Sequence, residues 1–388
     1  MKILLLVCDG LGAGDAPDAE AFGDAGSNTL VNTAAAVGGL RVPNLEALGL
    51  GCLGDVRGVA PTRNEGTAQG RLIERSPGKD SMTGHWELCG LTLDRPFPLY
   101  PAGFPAEVID GFEAAIGRPA LGNRPASGTD IIEELGATHL ETGRPIVYTS
   151  GDSVFQIACH EQVAGDEQLW AWCQTARDLL VGEHAVGRVI ARPFRGAPGS
   201  FERTPGRRDF SLPPPRATLL DRCADAGVPV FGVGKISDVF SGRGIAESRY
   251  SDSDDHGVDV ACGFLQRAGT ALVFCNLVDF DSKYGHRNDA EGFAACLERL
   301  DRRLPELLAA VGEDGYTFIT GDHGCDPTTP STDHSREMVP LLAKGPWNGS
   351  VGLGDRHMGD LGATIADLLG LEEGLQGDSF AAMLGAVA

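Results

Sequence analysis

Three apolar runs of this chain each end in an aspartate: "KILLLVCDG" at Asp9, "ALVFCNLVDFD" at Asp281 and "GYTFITGDHG" at Asp322. Histidines stand near two of them. His286 follows Asp281 by five residues, His323 adjoins Asp322, and His334 comes next in "PSTDHSRE". A single aspartate of this kind reads as a turn or helix-cap residue, and a lone histidine as a satisfied core or surface group. Three carboxylates gathered at one edge of a sheet repel each other strongly unless cations neutralise them. Mixed Asp and His donors suit manganese or zinc better than calcium or magnesium. Six donors are too many for one open tetrahedral site and fit two neighbouring metals. Such a pair stabilises the attacking and leaving oxygens of a phosphoryl transfer together.

The stretch "GKDSMTGHWELCG" (78–90) supplies the group that would react. Thr83 precedes Gly84 and an apolar, helix-like run containing Trp86 and Leu88. By itself Thr83 reads as a helix N-cap. Beside two metals its hydroxyl, deprotonated by coordination, reads as a nucleophile toward phosphorus. The N–H groups of the helix start would then help hold the phosphoryl oxygens.

These residues need strands that end together. Continuous, β-branched runs predict buried parallel strands over 2–8, 228–233, 271–280 and 315–320. Helical patterns fall at 216–227, 258–269, 290–312 and 358–371. The alternation predicts a doubly wound, mostly parallel α/β sheet, with ligands bound beyond the carboxyl ends of its strands. Proline clusters at 93–105 and 211–220 bracket a different middle part. It has expected strands at 144–150, 153–158 and 185–194 and a Trp-rich helix at 167–181. The expectation is a core domain of 1–96 and 216–388 with a smaller α/β cap domain, 97–215, inserted between two crossings that could hinge. The run "SDSDDHGVD" (251–259) reads as an acidic surface loop.

Composition narrows the partners. A length of 388 residues suits two or three domains, and 42% hydrophobic residues can fill sizeable cores. The net charge of −22 comes without a basic stripe, which argues against nucleic acid. A small anionic substrate remains compatible with it, because a local cation cluster can override a diffuse negative surface. No apolar run nears the roughly 18 residues of a membrane span. Met1, Lys2 and a strand follow one another with no cleavage site, so the expected location is the cytoplasm. Ten scattered cysteines without a CxxC pair suggest neither a disulfide framework nor a zinc knuckle.

With these motifs in view, "CDGLGAGDAPDA", "GKDSMTGHWELCG", "LVDFDSKYGHRND" and "TGDHGCDPTTPSTDHSREMVPLL" closely resemble the phosphopentomutases of the alkaline phosphatase superfamily. "TSGDSVFQIACHE" and "GKISDVF" match as well, so the resemblance runs nearly the full length. It implies an alkaline phosphatase-like core and interconversion of ribose (or 2-deoxyribose) 1-phosphate and 5-phosphate. Thr83 would carry the phosphoryl group beside two Mn²⁺ ions. Asp281, His286 and His334 would hold one ion, and Asp9, Asp322 and His323 the other. A sugar bisphosphate would be the intermediate and would also prime, or activate, the dephosphorylated enzyme. In the cap, Asp152 would accept a sugar hydroxyl, Ser150 would add a hydrogen bond, and Arg192 would bind the non-reacting phosphate, which Lys235 in the core could also serve. The resemblance leaves Arg203, Arg207 and Arg208 without a role. Cys325 stands where Asn is usual and Ser331 where Gly is expected, and neither is an expected ligand. The rival readings are a metal-dependent phosphatase or a phosphoglycerate mutase of the same superfamily, and a non-catalytic metal-binding protein.

Overall fold

In the computed structural model, which describes residues 1–372 and 374–385, Lys2–Cys8 forms the strand around which the larger sheet is built. It lies between Ala271–Leu277 and Tyr316–Thr320 and is parallel to both, with Cys8 opposite Leu277 and Val7 opposite Thr320. All three strands therefore finish at one edge. Across the sheet the order is Glu247–Arg249, Val230–Val233, Ala271–Leu277, Lys2–Cys8, Tyr316–Thr320, Val339–Lys344, Thr67–Ile73 and Ser350–His357. Val339–Lys344 runs antiparallel to both neighbours, and the other pairings are parallel.

The central strands are apolar without alternation because both faces are covered. Leu4, Leu6 and Cys8 join a core with Leu30, Val258, Phe264, Phe293 and Leu297 from the helices Thr29–Ala36, Asp254–Arg267 and Ala290–Val311. On the opposite face Phe274 meets His85 of the helix Ser81–Leu88, their ring centres 5.8 Å apart. The fold class is the expected α/β one.

Two expectations change in detail. The strand expected to Phe280 stops at Leu277, and the chain turns through a single π-helical stretch, Phe280–Tyr284, that carries Asp281. The acidic run 251–259 is not a loop throughout, because the helix Asp254–Arg267 begins inside it. The Ser253 side chain accepts from the His256 N–H at 3.2 Å and caps that helix. Asp254 and Asp255 then sit in the first turn, where the helix dipole favours negative charge.

The chain divides into two compact units, Met1–Arg95 with Pro214–Ala388, and Pro96–Pro213. Of the expected core stretch 216–388, residues 373 and 386–388 lie outside the described residues. The second unit has its own sheet, in the order Leu121–Pro125, Ile146–Thr149, Val154–His160, Arg188–Arg195 and Glu202–Arg203, with Arg208–Ser211 also paired to Arg188–Arg195. Phe155, Ile157 and Cys159 pack with Phe112, Leu169 and Trp172 on one face, while Ala158 packs with Ile131 and Ile132 on the other. Among the described residues no helix is long and apolar enough to cross a membrane.

Candidate metal centre

Asp9 is the first residue after its strand, and Gly10 turns the chain with φ +76°, where its N–H donates to Asp322 Oδ1 at 3.0 Å. A Cβ at Gly10 would lie 3.0 Å from Cys325 Cβ and 3.3 Å from Asp281 Cβ. Glycine is thus what lets three loops meet. Asp281 sits in the π stretch and His286 in the short 3-10 turn Gly285–Arg287 that follows, while Asp322, His323 and His334 lie in the segment between Tyr316–Thr320 and Val339–Lys344.

The six side chains fall into two triads, Asp281 with His286 and His334, and Asp9 with Asp322 and His323. Within each triad the donor atoms lie within 4.8 Å of one another. His286 Nε2 is 3.2 Å from Asp281 Oδ2, and His334 Nε2 is 3.7 Å from Asp281 Oδ1. His323 Nε2 is 3.3 Å from Asp322 Oδ2 and 3.5 Å from Asp9 Oδ1. The His323 and His334 rings stack with centres 3.8 Å apart, so the triads are neighbours.

The donor chemistry fits divalent cations. Each histidine directs Nδ1 at a backbone carbonyl: His286 at Thr332, His323 at Gly324 and His334 at Lys79, at 2.7, 3.0 and 2.9 Å. Such bonds place the proton on Nδ1 and leave the Nε2 lone pair for a ligand. His286 Nε2 and His334 Nε2 lie 3.2 Å apart, close enough to share a proton or to meet on one cation. Asp9 Oδ1, Asp281 Oδ1 and Asp322 Oδ2 are buried without a hydrogen-bond partner. Two carboxylates about 4 Å apart repel by on the order of 4 kcal/mol at an effective dielectric constant of about 20. That is a large share of a typical stability of about 5–15 kcal/mol, so bound cations resolve what would otherwise be a serious defect.

Proton affinities reflect the same crowding. Burial, then Asp322, push Asp9 up despite Lys235. Burial also opposes the Asp281 charge, yet His286 and His334 hold that carboxyl well below its usual range. His334 is disfavoured as a cation by burial, but Asp281 outweighs this and raises it to about 9.

Thr83 is fully buried in the first turn of Ser81–Leu88. It is not the cap; Asp80 is, accepting from the Met82 and Thr83 N–H groups at 2.9 and 3.2 Å. The Thr83 hydroxyl donates back to the Asp80 carbonyl at 2.9 Å. Gly84 brings this turn against the metal loop, because a Cβ there would lie 2.0 Å from the Asp322 carbonyl oxygen. Ser81 Oγ is 3.2 Å from His323 Nε2, and His85 Nδ1 is 2.8 Å from the Ser81 carbonyl oxygen and 3.2 Å from Asp322 Oδ2. Sequence reasoning passed over Ser81 and His85, although a histidine inside an apolar helical run was the available signal.

A metalloenzyme superfamily model matches residues 1–373 of this chain. A phosphopentomutase of Carboxydothermus hydrogenoformans is 53% identical over 98% of this chain and 98% of its own. One from Dictyoglomus thermophilum is 53% identical over 98% and 97%. The chain belongs to the phosphopentomutases of the metalloenzyme superfamily. It is accordingly an enzyme, a phosphotransferring mutase of the isomerase class, and divalent-metal dependence goes with the family. Among solved structures, a Leishmania mexicana phosphoglycerate mutase is 14% identical over 97% of this chain and 96% of its own, with a TM-score of 0.48, and carries no further argument.

As a phosphopentomutase the chain needs a place for sugar and phosphate, and the second unit contains a polar cavity of about 360 Å³. Ser150, Asp152 and Arg192 line it, together with Arg188, Arg203 and Arg207. Arg192 Nε donates to Gln156 Oε1 at 3.1 Å, which turns the fork of the half-buried guanidinium. The basic cluster divides: Arg208 instead lies over the Trp170 and Phe210 rings, at 5.1 Å from each. Lys235 is elsewhere, in the first unit, with its Nζ 2.9 Å from Asp9 Oδ2. Cys325 is buried and takes its backbone N–H to Thr29 Oγ1 at 3.2 Å, while Ser331 Oγ accepts from the Asp333 N–H at 3.1 Å.

Proposed function

We propose that the enzyme interconverts α-D-ribose 1-phosphate, or its 2-deoxy analogue, and the corresponding 5-phosphate through a phosphorylated Thr83 and a sugar bisphosphate. The observation that carries this reading is the pair of adjacent triads with the Thr83 turn pressed against Asp322. In the reading, Asp281, His286 and His334 hold one Mn²⁺ ion, and Asp9, Asp322 and His323 the other. When bound, the ions supply positive charge that favours the ionised hydroxyl and offsets the charge of the phosphoryl group.

The chain's own residues do the rest. Asp80 fixes the turn from which the Thr83 oxygen acts, and the N–H groups of that turn stabilise phosphoryl oxygens. A sugar hydroxyl forms a bond to phosphorus as the bond from phosphorus to Thr83 Oγ breaks, and Thr83 recovers a proton. The resulting bisphosphate then returns its other phosphoryl group to Thr83 by the reverse exchange. The inserted unit serves as the cap that holds substrate. Arg192, with Arg188, Arg203 and Arg207, takes the non-reacting phosphate through charge-assisted, forked hydrogen bonds, and Ser150 and Asp152 take the sugar. Lys235, paired with Asp9, balances the carboxylates. Ten unpaired cysteines fit a reducing compartment, and we place the enzyme in the cytoplasm.

The test uses manganese-loaded protein, ribose 1-phosphate and a trace of sugar bisphosphate, with ribose 5-phosphate and free phosphate followed together. Ribose 5-phosphate with little free phosphate is expected, and Thr83→Ala should lose about 10⁴-fold or more, as removal of a nucleophile does. Free phosphate as the main product would overturn the mutase chemistry and leave a phosphatase on the same site.

A further inference from the structure

The segment between the strand Thr67–Ile73 and the helix Ser81–Leu88 belongs to both parts of the site. At its end, the Lys79 carbonyl accepts from His334 Nδ1 at 2.9 Å, and the next residue, Asp80, caps the turn of Thr83. Whatever places Lys79 and Asp80 therefore sets the ring of a candidate metal ligand and the oxygen of the candidate nucleophile together. A segment with no regular structure has no ladder to do this.

Two buried charged side chains grip it instead, with opposite polarity. Glu87, on the Thr83 helix, accepts from the Arg75 and Ser76 N–H groups at 2.7 Å each, and from Ser76 Oγ. Arg336, two residues after His334, donates to the carbonyls of Glu74 and Ser76 at 2.7 and 2.9 Å and to that of Gly78. The same guanidinium bonds Glu74 Oε2 at 2.7 Å and both oxygens of Asp18 at 3.0 Å. Its own backbone N–H donates to Asp24 Oδ2, which also takes Lys79 Nζ at 2.9 Å. The guanidinium offers five N–H donors in a rigid plane, and here they tie segment 74–80 to Asp18.

We propose that Arg336 and Glu87 are positioning residues that hold segment 74–80 in one register, so that the orientation of His334 and the placement of Thr83 are set jointly. This rests on the proposed roles of Thr83 and of the two triads. Neither residue touches substrate; each acts through Lys79 and Asp80. A lysine at position 336 keeps the charge but not the fork, and has at most three donors. A glutamine at position 87 turns one acceptor into a donor facing Ser76.

The experiment compares wild type, Arg336→Lys and Glu87→Gln by manganese titration calorimetry. It also reads the fraction of Thr83 phosphorylated by a sugar bisphosphate from intact mass, and kcat and KM for ribose 1-phosphate. Both variants are expected to bind manganese about tenfold or more weaker, the range of supporting groups around a metal. Both should show less phosphorylated Thr83 and lower kcat, with KM little changed. The decisive part is Glu87→Gln, because Glu87 makes no bond to any candidate ligand and its hydrogen bonds go to the segment, at Arg75 and Ser76. Wild-type manganese affinity and phosphorylation in Glu87→Gln, with only a lower Tm, would overturn the coupling, and that variant alone decides if Arg336→Lys does not fold. A wild-type protein that takes up neither manganese nor phosphate would overturn the reading of the site itself, and this inference with it.

Discussion

His286, His323 and His334 of the first unit each direct one ring nitrogen at a backbone carbonyl and leave the other among carboxylates. His139 and His160 of the second unit use both. His139 Nδ1 meets the Arg144 carbonyl and its Nε2 accepts from the His160 N–H at 2.8 Å. His160 Nδ1 accepts from the Gln162 N–H, and its Nε2 donates to the Gly196 carbonyl, each at 3.1 Å. The two groups share a residue type, and all but His286 and His334 are buried. What separates them is what the second nitrogen meets: a backbone group in His139 and His160, but carboxylates, a second imidazole or Ser81 Oγ in the three histidines of the first unit. A ring bonded to the backbone on both sides is part of the framework, whereas one that turns a nitrogen toward carboxylates can offer it to a cation. The charged residues divide likewise: carboxylates converge in the first unit, guanidinium groups around a cavity in the second.

The largest expected effect tests the first half of that contrast. Asp281→Asn removes the charge on which His286 and His334 converge. Manganese binding and mutase activity should fall about 10³-fold or more, since a buried charge partner and a ligand oxygen go together. Ribose 1-phosphate binding by the arginine cavity, measured without metal, should be unaffected. Equal loss of both would show that the two regions are not separable.

Arg192→Met tests the second half. Losing a charged hydrogen-bond partner for phosphate should raise KM about 10- to 100-fold, from about 1.5–3 kcal/mol per such bond. Manganese affinity by calorimetry should stay at the wild-type value. A drop in kcat with unchanged KM would remove the cavity from substrate binding.

The smallest effect concerns pH. Burial is the main cause that lowers His139 below its ordinary 6.5, so the folded chain binds its proton less readily than the unfolded chain does. The unfolded state then holds more protons below pH 6.5, and stability must fall as pH drops through that value toward the folded one. Protonation also removes the acceptor for the His160 N–H. Amide protection in Ile146–Thr149 and Val154–His160, taken relative to the intrinsic exchange rate at each pH, should therefore fall from pH 7 to pH 5, and His139→Gln should flatten the response. An unchanged response in that variant would place the titrating group elsewhere.

Much of the core was legible in the chain alone. Uninterrupted β-branched runs can satisfy neither a solvent-facing strand nor a short helix, so they had to be buried parallel strands, and Asp9, Asp281 and Asp322 followed at their ends. The acidic run 251–259 reads as a surface loop because its residues look solvated in sequence, while in space Asp254 and Asp255 open the helix Asp254–Arg267. Thr83 was recognisable from Gly84 and the apolar run with Trp86 and Leu88, yet local pattern could not show that Asp80, three residues earlier, is the cap.

What the sequence determined by itself is what depends on neighbours along the chain: strand and helix periodicity, and the residue types at each strand end. Tertiary structure alone decided which side chains share a space. Arg336 lies 262 positions from Glu74, and Asp9 lies 313 from Asp322. Nothing in a local window relates such pairs. The stacking of His323 on His334, the entry of Arg188, Arg203 and Arg207 into one cavity, and the grip on segment 74–80 all arise after the sheets close. Hydrogen bonds and charges act over a few ångströms of space, and only the folded chain sets those distances.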